Sequence, residues 1–347
     1  MIRDIILGAI SQIYFLVIWV RHKLFDWGVI KSRRFEIPII CVGNITVGGT
    51  GKTPMSEMLI EHMQQHHTVA LLSRGYGRTT KGYIEVKFDD ESHRVGDEPL
   101  QMKRKFPSTV VVVCEKRVLG VELIQKFHPK VDLIIMDDGF QHRHIDPKIR
   151  IVMMDATRPV HRDKPLPAGE LRDLPSALKR ADYFVITKCP ESMGDEERRE
   201  IVDNIKPQVD QKLYFSKIAT LEPQPIYDSN FTKAFDPEAT VIAMAGVGNP
   251  DPFMETIRNR YTVASELLYS DHHEYTEADF EEIAEALKRS HASAIITTEK
   301  DAIKFIANDN IPSFIKERIY YTPIKLHFEE GLKEQLLKNL EQDVKAY

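Results

Sequence analysis

The segment Gly43-Asn44-Ile45-Thr46-Val47-Gly48-Gly49-Thr50-Gly51-Lys52-Thr53 sets glycines, a lysine and a hydroxyl between the apolar run Ile37–Val42 and the helically spaced Met55–Gln64. Strand, glycine loop and helix in that order turn backbone N–H groups inward around phosphate oxygens, and the helix amino terminus adds partial positive charge. Lys52 can then reach the β and γ phosphates while Thr53 ligates Mg²⁺. The pattern Gly-x-x-x-x-Gly-Lys-Ser/Thr meets Thr46 at its first position, but Gly51-Lys52-Thr53 keeps its end and Gly48 and Gly49 supply flexibility. Pro54 suits a first helical turn. Thr46, Val47, Gly48, Gly49, Thr50, Gly51, Lys52 and Thr53 are therefore the expected nucleotide cradle. Thr187-Lys188 ends another apolar run without the following Asp of guanine readers, Pro190 standing nearby, so ATP is the expected nucleotide.

A second group of side chains suits the metal that accompanies a triphosphate. The run Val131–Met136 ends in Asp137-Asp138-Gly139-Phe140-Gln141-His142. Acidic groups at the carboxyl end of a buried strand lie beside such a loop, and Asp137 or Asp138 can hold Mg²⁺ directly or through water. Two adjacent aspartates also repel each other unless a cation compensates them. Ser73-Arg74-Gly75-Tyr76-Gly77-Arg78 follows another strand, where Arg74 and Arg78 suit either bidentate phosphate contact or a solvated surface. In Val95-Gly96-Asp97-Glu98-Pro99, Asp97 either starts a helix or accepts the proton of an attacking hydroxyl. His272 and His273 are adjacent, so on a strand they would point to opposite faces and not share a metal.

These groups need a rigid frame, and the chain has the material for one. Its 347 residues are 42% hydrophobic, enough for one large or two medium domains. With 47 basic against 52 acidic residues the formal charge is −5, which gives no basis for polyanion binding, and no nucleic-acid partner is expected. Cys41, Cys114 and Cys189 have no short spacing for a thiolate metal site or a disulfide framework, which favours a reducing compartment. Apolar runs at Ile37–Val42, Thr68–Leu72, Thr109–Cys114, Val131–Met136, Arg150–Met154 and Tyr183–Thr187 predict a mainly parallel sheet covered on both faces. Between Pro207 and Pro237 the rhythm is lost and Pro223, Pro225, Asp228, Ser229 and Asn230 gather, predicting a connector. A second α/β set follows, with strands at Thr240–Ala245, near Tyr261–Ala264 and at Ala294–Thr298, and helices after Pro250 and over Glu277–Arg289.

The amino terminus differs from all of this. Ile5–Val20 is apolar apart from Gly8, Ser11 and Gln12, and Arg21, His22 and Lys23 follow directly. As a helix it is about 24 Å long, short of the ~30 Å hydrocarbon core. Asp4 and the lack of a small-residue cleavage site argue against a removed signal segment. Asp4, Gly8, Ser11 and Gln12 form one narrow polar stripe, and the remaining face needs an apolar environment. A core or partner-packing helix would satisfy it. A helix lying in a membrane interface fits better, with Trp19, Trp27 and the cluster Arg21, Lys23, Lys31, Arg33, Arg34 at anionic headgroups.

The segments Val42–Pro54, Ser73–Gly77, Val95–Pro99 and Asp137–His142, with Thr187-Lys188, Ala245–Pro250, Asp271-His272-His273-Glu274-Tyr275 and Thr298–Ala302, together resemble the tetraacyldisaccharide 4'-kinases, which phosphorylate the lipid A precursor. The threonine-led loop is itself a mark of that family. The resemblance implies an α/β fold of two α/β/α sandwich domains, the first P-loop NTPase-like, joined by a small β connector and preceded by a membrane-associating helix. The expected division is 1–35 for that helix and basic segment, 36–215 for the kinase domain, 216–238 for the connector, 239–325 for the second domain and 326–347 for a carboxyl-terminal helix. By the same resemblance ATP and Mg²⁺ are the cofactors, Lys52 and Thr53 take the phosphates and metal, Asp137 and Asp138 the metal side, and Asp97 with His272 form an acid–base pair. Arg74, Arg78, Gln141, His142, Arg172 and Asp173 are candidates for the substrate side. Where the family has Gly-Pro-Leu-Arg-Glu, this chain reads Gly169-Glu170-Leu171-Arg172-Asp173, with a shorter acid at its end. The implied acceptor is an acylated glucosamine disaccharide 1-phosphate, met at the cytoplasmic face of a bacterial inner membrane, with no protein partner evident. A membrane-peripheral nucleotide switch or a metal-insertion ATPase would use the same loop and carboxylates without phosphorylating lipid.

Overall fold

A computed structural model describes residues 2–227, 233–306 and 310–346; the connector residues Asp228, Ser229 and Asn230 and the Asp4 side chain lie outside the described residues. In chain order the first part comprises α1 (Ile2–Asp26), β1 (Ile39–Gly43), α2 (Lys52–Met63), β2 (Val69–Ser73), β3 (Ile84–Glu85), α3 (Ser92–Val95), α4 (Asp97–Lys105), β4 (Val110–Val113), α5 (Arg117–Phe127), β5 (Leu133–Asp137), β6 (Ile149–Asp155), β7 (Tyr183–Thr187), α6 (Asp195–Ile205) and β8 (Lys212–Thr220). The second comprises β9 (Gln224–Pro225), β10 (Thr240–Ala245), α7 (Asp251–Arg260), β11 (Thr262–Leu268), α8 (Glu277–Ser290), β12 (Ala294–Thr298), α9 (Glu299–Ile306), α10 (Ser313–Lys316) and β13 (Ile319–Thr322). The chain then ends in β14 (Ile324–Phe328) and α11 (Leu332–Lys345).

The apolar runs form strands because both faces of each are buried. Every residue of β1, β2, β5 and β7 is inside, as a parallel sheet between helical layers requires. The first sheet has nine strands in the order β14-β8-β7-β6-β1-β5-β2-β4-β3. Its interior is parallel, and β14 and β3 run antiparallel at the two edges. Because β1 pairs with β5 in a register that sets Val42 against Asp137, the glycine loop and the acidic pair emerge side by side at the carboxyl ends. The second sheet has five strands in the order β11-β10-β12-β13-β9, with apolar layers on both faces.

The segment read as the start of a connector is in part a strand, since β8 occupies Lys212–Thr220 and extends the first sheet. β14 also returns to that sheet, pairing Leu326 with Ile218, so the expected division at 325 falls within this strand. α11 follows it home and buries Leu336, Leu337, Leu340 and Val344 in the same core as Met58 and Leu59 of α2. The chain thus leaves the first layer once and comes back. α9 stands at the junction, with Phe305 in the second core and Ile303 in the first.

One cation ties the junction together. Lys105 Nζ lies 2.7 Å from both Glu57 Oε2 on α2 and Glu299 Oε1 on α9, while Gln101 Nε2 donates to Glu57 Oε1 at 2.9 Å. Burial and the neighbouring Glu299 push the Glu57 carboxyl up from its ordinary 4.5 to about 7, against the pull of Lys105. An acid with a raised folded-state value binds its proton more tightly folded than unfolded, so the stability it contributes is present at low pH and lost as pH climbs through that range. Glu57→Gln should therefore gain stability over the parent between pH 5 and pH 8, by on the order of 1–3 kcal/mol. Urea unfolding at several pH values checks this, and a difference independent of pH would contradict it.

Candidate active site

The glycine loop is shaped before any ligand enters. Gly48 and Gly51 have φ of 91° and 86°, in the left-handed region that a side chain resists. Asn44 Nδ2 donates to Thr50 Oγ1 at 2.8 Å, and Thr187 Oγ1 donates to the Thr50 carbonyl at 3.0 Å, fixing the turn from two strands. Val47 N–H donates to the Glu170 carbonyl at 2.8 Å, Thr46 bridges to Leu171, and Arg158 donates to the Val47 carbonyl while pairing with Glu170. α2 begins at Lys52, so the unsatisfied N–H groups of its first turn open onto the loop. Thr53 sits half-buried in that turn. Lys52 Nζ lies 3.7 Å from Asp138 Oδ1.

The two adjacent aspartates are held in opposite electrostatic states. Asp137 is 2% exposed at the end of β5 and accepts a hydrogen bond from Ser56 Oγ at 2.9 Å. Burial, then the charges of Glu98 and Asp138, raise its carboxyl to about 7, against Lys52 and Ser56. Burial also opposes the charge on Asp138, but the hydrogen bonds of Arg172, the ammonium of Lys52 and the guanidinium of Arg117 outweigh it and hold that carboxyl at about 2. Arg172 reaches both Asp138 oxygens and also Asn44 Oδ1, and so clamps acid and loop together. A buried acid raised by its acidic neighbours marks a place where a cation is short. The donors are all oxygen, which fits Mg²⁺ held by Asp137, Asp138 and Thr53. Among the described residues no three His, Cys, Asp or Glu side chains form a metal-holding group. That too suits Mg²⁺, which takes one or two carboxylates and completes its shell with phosphate and water.

Opposite this group, α4 begins at Asp97. A Cβ at Gly96 would lie 2.9 Å from the Tyr76 carbonyl, so a glycine lets the helix start press against the loop after β2. Asp97 Oδ2 is 2.8 Å from His272 Nδ1, a bond that joins the two sheets. The two histidines lie in a turn and following loop, with His272 at φ 59°. His273 turns away: its Nε2 is 3.0 Å from Asp279 Oδ2 at the start of α8 and its ring stacks on Tyr269. Of the pair, His272 alone is brought to Asp97.

Several expected residues serve the frame. Asp173 is 1% exposed. Its carboxylate meets His22 Nε2 at 2.6 Å and accepts from Leu174 N–H at 2.8 Å and from Gln141 and Arg180 at 3.3 Å each. Burial opposes its charge, but His22 and Arg180 hold it below the usual range. Gln141 is likewise engaged, donating to the Asn44 carbonyl at 2.8 Å. Arg78 is drawn inward, donating to the Gly82 carbonyl at 2.8 Å and to Glu115 at 2.5 Å. Arg74 remains exposed on the same loop. Burial and the nearby charges of Arg117, His144 and Arg21 depress the His142 imidazole to about 4.

Two residues of the site escape a reading of motifs. Glu98 acts on Asp137 through space. Arg117, 4% exposed at the start of α5, has a guanidinium lowered by burial and supported by Asp138. A basic residue at a helix amino terminus runs against the helix dipole, and that local conflict is the signal the sequence offers. Replacing Asp173 by Ala should leave His22 and Arg180 without their carboxylate and cost about 3 kcal/mol of stability. Denaturant unfolding measures it, and a loss within a few tenths would show that the cluster is not structural.

Comparison with known proteins agrees with this geometry. A family profile described as Tetraacyldisaccharide-1-P 4'-kinase matches residues 3–341. The tetraacyldisaccharide 4'-kinase of Phocaeicola vulgatus is 36% identical over 341 residues, covering 96% of this chain and 93% of the relative. That of Porphyromonas gingivalis W83 is 37% identical, covering 93% of each. LpxK of Aquifex aeolicus, solved in complex with ATP, superimposes with a TM-score of 0.73 at 25% identity, covering 97% of this chain and 98% of that one. The chain belongs to the tetraacyldisaccharide-1-P 4'-kinase family, ATP-dependent kinases that phosphorylate the 4' position of the disaccharide in lipid A biosynthesis.

Proposed function

We propose that this chain transfers the γ-phosphoryl group of ATP to the 4'-hydroxyl of tetraacyldisaccharide 1-phosphate with Asp97 as the proton acceptor. The observation that carries the assignment is the 2.8 Å bond between Asp97, at the start of α4, and His272, in the turn after β11 of the second sheet. The loop amides and Lys52 bind the triphosphate and stabilise the charge that spreads over the transferred group. Thr53, Asp137 and Asp138 would hold Mg²⁺, which would supply neutralisation of phosphate charge. Arg172 orients Asp138 and the loop through one guanidinium. Asp97 accepts the hydroxyl proton, and His272, donating from Nδ1, keeps that carboxylate oriented. Arg74, exposed on the loop after β2, supports a reading as a substrate phosphate contact.

The amino-terminal helix supports action at a membrane surface. Its inner side carries polar anchors, although of the stripe read in the sequence only Ser11 is buried and Gln12 is exposed: Ser11 Oγ donates to the Pro165 carbonyl at 3.0 Å, Tyr14 OH to the Arg172 carbonyl at 3.1 Å, and His22 meets Asp173. Its apolar face points out, with Ile13, Leu16, Val17 and Trp19 at 63%, 59%, 61% and 46% exposure. Among the described residues no helix is long and apolar enough to cross a membrane. Such a helix suits the interface, and the exposed Trp27 and Lys31 follow it, while Arg33 pairs with Glu122. With the acyl chains of the acceptor in that layer, this arrangement supports a position at the cytoplasmic face of a bacterial inner membrane.

Lys52→Ala and Asp97→Asn should each slow phosphoryl transfer by roughly 10²–10⁴-fold, while Asp97→Asn retains ATP binding; near-parental turnover of the Asp97 variant, followed with labelled ATP and the tetraacylated disaccharide 1-phosphate, would refute the assignment. Replacing Ile13, Leu16 and Val17 together by Ser leaves the docked stripe intact and should release the protein from anionic liposomes in flotation. Undiminished flotation would remove the helix as the anchor.

A further inference from the structure

The glycine loop has a basic group beside it that comes from outside its own motif. Arg158 stands three residues beyond the end of β6, and its guanidinium lies against Gly48: a Cβ there would be 3.1 Å from Nη2 and 3.7 Å from Nη1. A residue without a side chain, held here at φ 91°, allows that approach. The same Nη2 donates to the Val47 carbonyl at 3.3 Å, and Nε stands 3.6 Å from Asp155 Oδ2. Asp155 is itself fixed by Thr157 N–H at 2.9 Å and by Lys188 Nζ at 2.6 Å, so the inner end of the guanidinium is anchored while its tip rests on the loop. The tip has an anionic partner, Glu170, whose carboxylate pairs with Nη1. The backbone of Glu170 is held separately, its carbonyl accepting from Val47 N–H at 2.8 Å and its N–H donating to Asp163 Oδ1 at 3.1 Å. The side chain takes no part in those two bonds and is 46% exposed, against 35% for Arg158. Glu170 stands where the family pattern Gly-Pro-Leu-Arg-Glu has proline, a residue that carries no charge.

A guanidinium presents a fixed fork of N–H donors that fits a phosphate as it fits a carboxylate. A triphosphate cradled by the loop amides passes Gly48, and Arg158 waits there. We propose that Arg158 is a further triphosphate-binding residue and that Glu170 competes with the phosphate oxygens for its guanidinium, so that the carboxylate at position 170 lowers the affinity of this chain for ATP. This deepens the reading of the loop as the ATP site and does not depend on which group accepts the hydroxyl proton. Binding exchanges one anion for another at Nη1: the Glu170 side chain swings to solvent, its main-chain bond to Val47 stays, and Arg158 keeps its contacts with Val47 and Asp155. A water-exposed ion pair breaks at small cost, whereas a guanidinium on phosphate oxygens gains charge-assisted bonds. A purely structural strut would behave otherwise, since removing either end of the pair would loosen the loop and weaken ATP binding alike.

Equilibrium binding of ATP with Mg²⁺ to the full chain tests this. Glu170→Gln should tighten ATP binding by roughly two- to fivefold, the strength of an exposed ion pair. Arg158→Met should weaken it by roughly tenfold or more, as loss of a charged hydrogen bond does. Arg158→Lys should recover only part of that loss, because an ammonium lacks the fork. In the Arg158→Met protein the Glu170→Gln change should have no further effect. Unchanged or weaker ATP binding in Glu170→Gln would overturn the proposal, as would the same tightening by that change in the Arg158→Met protein. Should Arg158→Met fail to fold, the sign of the Glu170→Gln effect decides alone. ATP binding indifferent to Lys52→Ala would instead defeat the reading of the loop as the triphosphate site, whatever Glu170 does.

Discussion

The hydrogen bond between His272 and Asp97 is the point on which the architecture turns, because Asp97 starts α4 beside the first sheet and His272 lies in the turn after β11 of the second, 175 positions away in the chain. Each sheet has its own apolar cores. Neither alone has both the phosphate loop and the imidazole. The junction that aligns them is built from charge as well as packing: α4 carries Asp97 at one end and Lys105 at the other, and Lys105 is gripped by Glu57 of the phosphate-loop helix and Glu299 of α9. α9 in turn begins with Glu299 and Lys300, so the residues that hold the sheets together and those that address His272 occupy the same helical turn. A displacement at this junction therefore reaches the base and the loop together.

On the other side of the site, electrostatics sorts two chemically identical neighbours. Asp137 is raised by burial and by the acids around it, whereas Asp138 is clamped by Arg172 and approached by Lys52. The difference follows from one residue of chain direction. Asp137 completes the buried strand, and Asp138 turns out at φ 48° toward the loop. The pair then offers one strongly anionic carboxylate fixed in place and one whose charge depends on a cation arriving.

The sequence made the first sheet legible where strands are buried on both faces, since β1, β2, β5 and β7 are short unbroken apolar runs. It hid β14 because Ile319–Phe328 reads as a single run broken only by Pro323, while pairing sends its halves to different sheets. Sheet membership is a long-range property that no local period records. The glycine loop and both aspartates were readable because their chemistry needs particular residues at fixed spacing. Asp173 was read as a substrate group from the family resemblance and Arg78 from residue type, and neither reveals that His22, Arg180 and Glu115 already engage them. Choosing between His272 and His273 required the turn itself, since alternation along a strand says only that they diverge.

The polar anchors on the inner side of α1 tie that helix to the residues that shape the glycine loop. Tyr14 bonds the carbonyl of Arg172, whose side chain holds Asp138 and Asn44, and His22 bonds the carboxylate of the next residue, Asp173. For a soluble helix the order of burial is wrong, since polar groups are inside and Ile, Leu, Val and Trp outside. It is right for a helix whose second solvent is lipid, because hydrogen bonds then fix it to the protein and apolar area fixes it to the bilayer. The two attachments use different forces and do not compete for the same face. A short hydrogen-bonded path through Tyr14, Arg172 and Asn44 thus couples the helix that carries this exposed apolar face to the glycine loop.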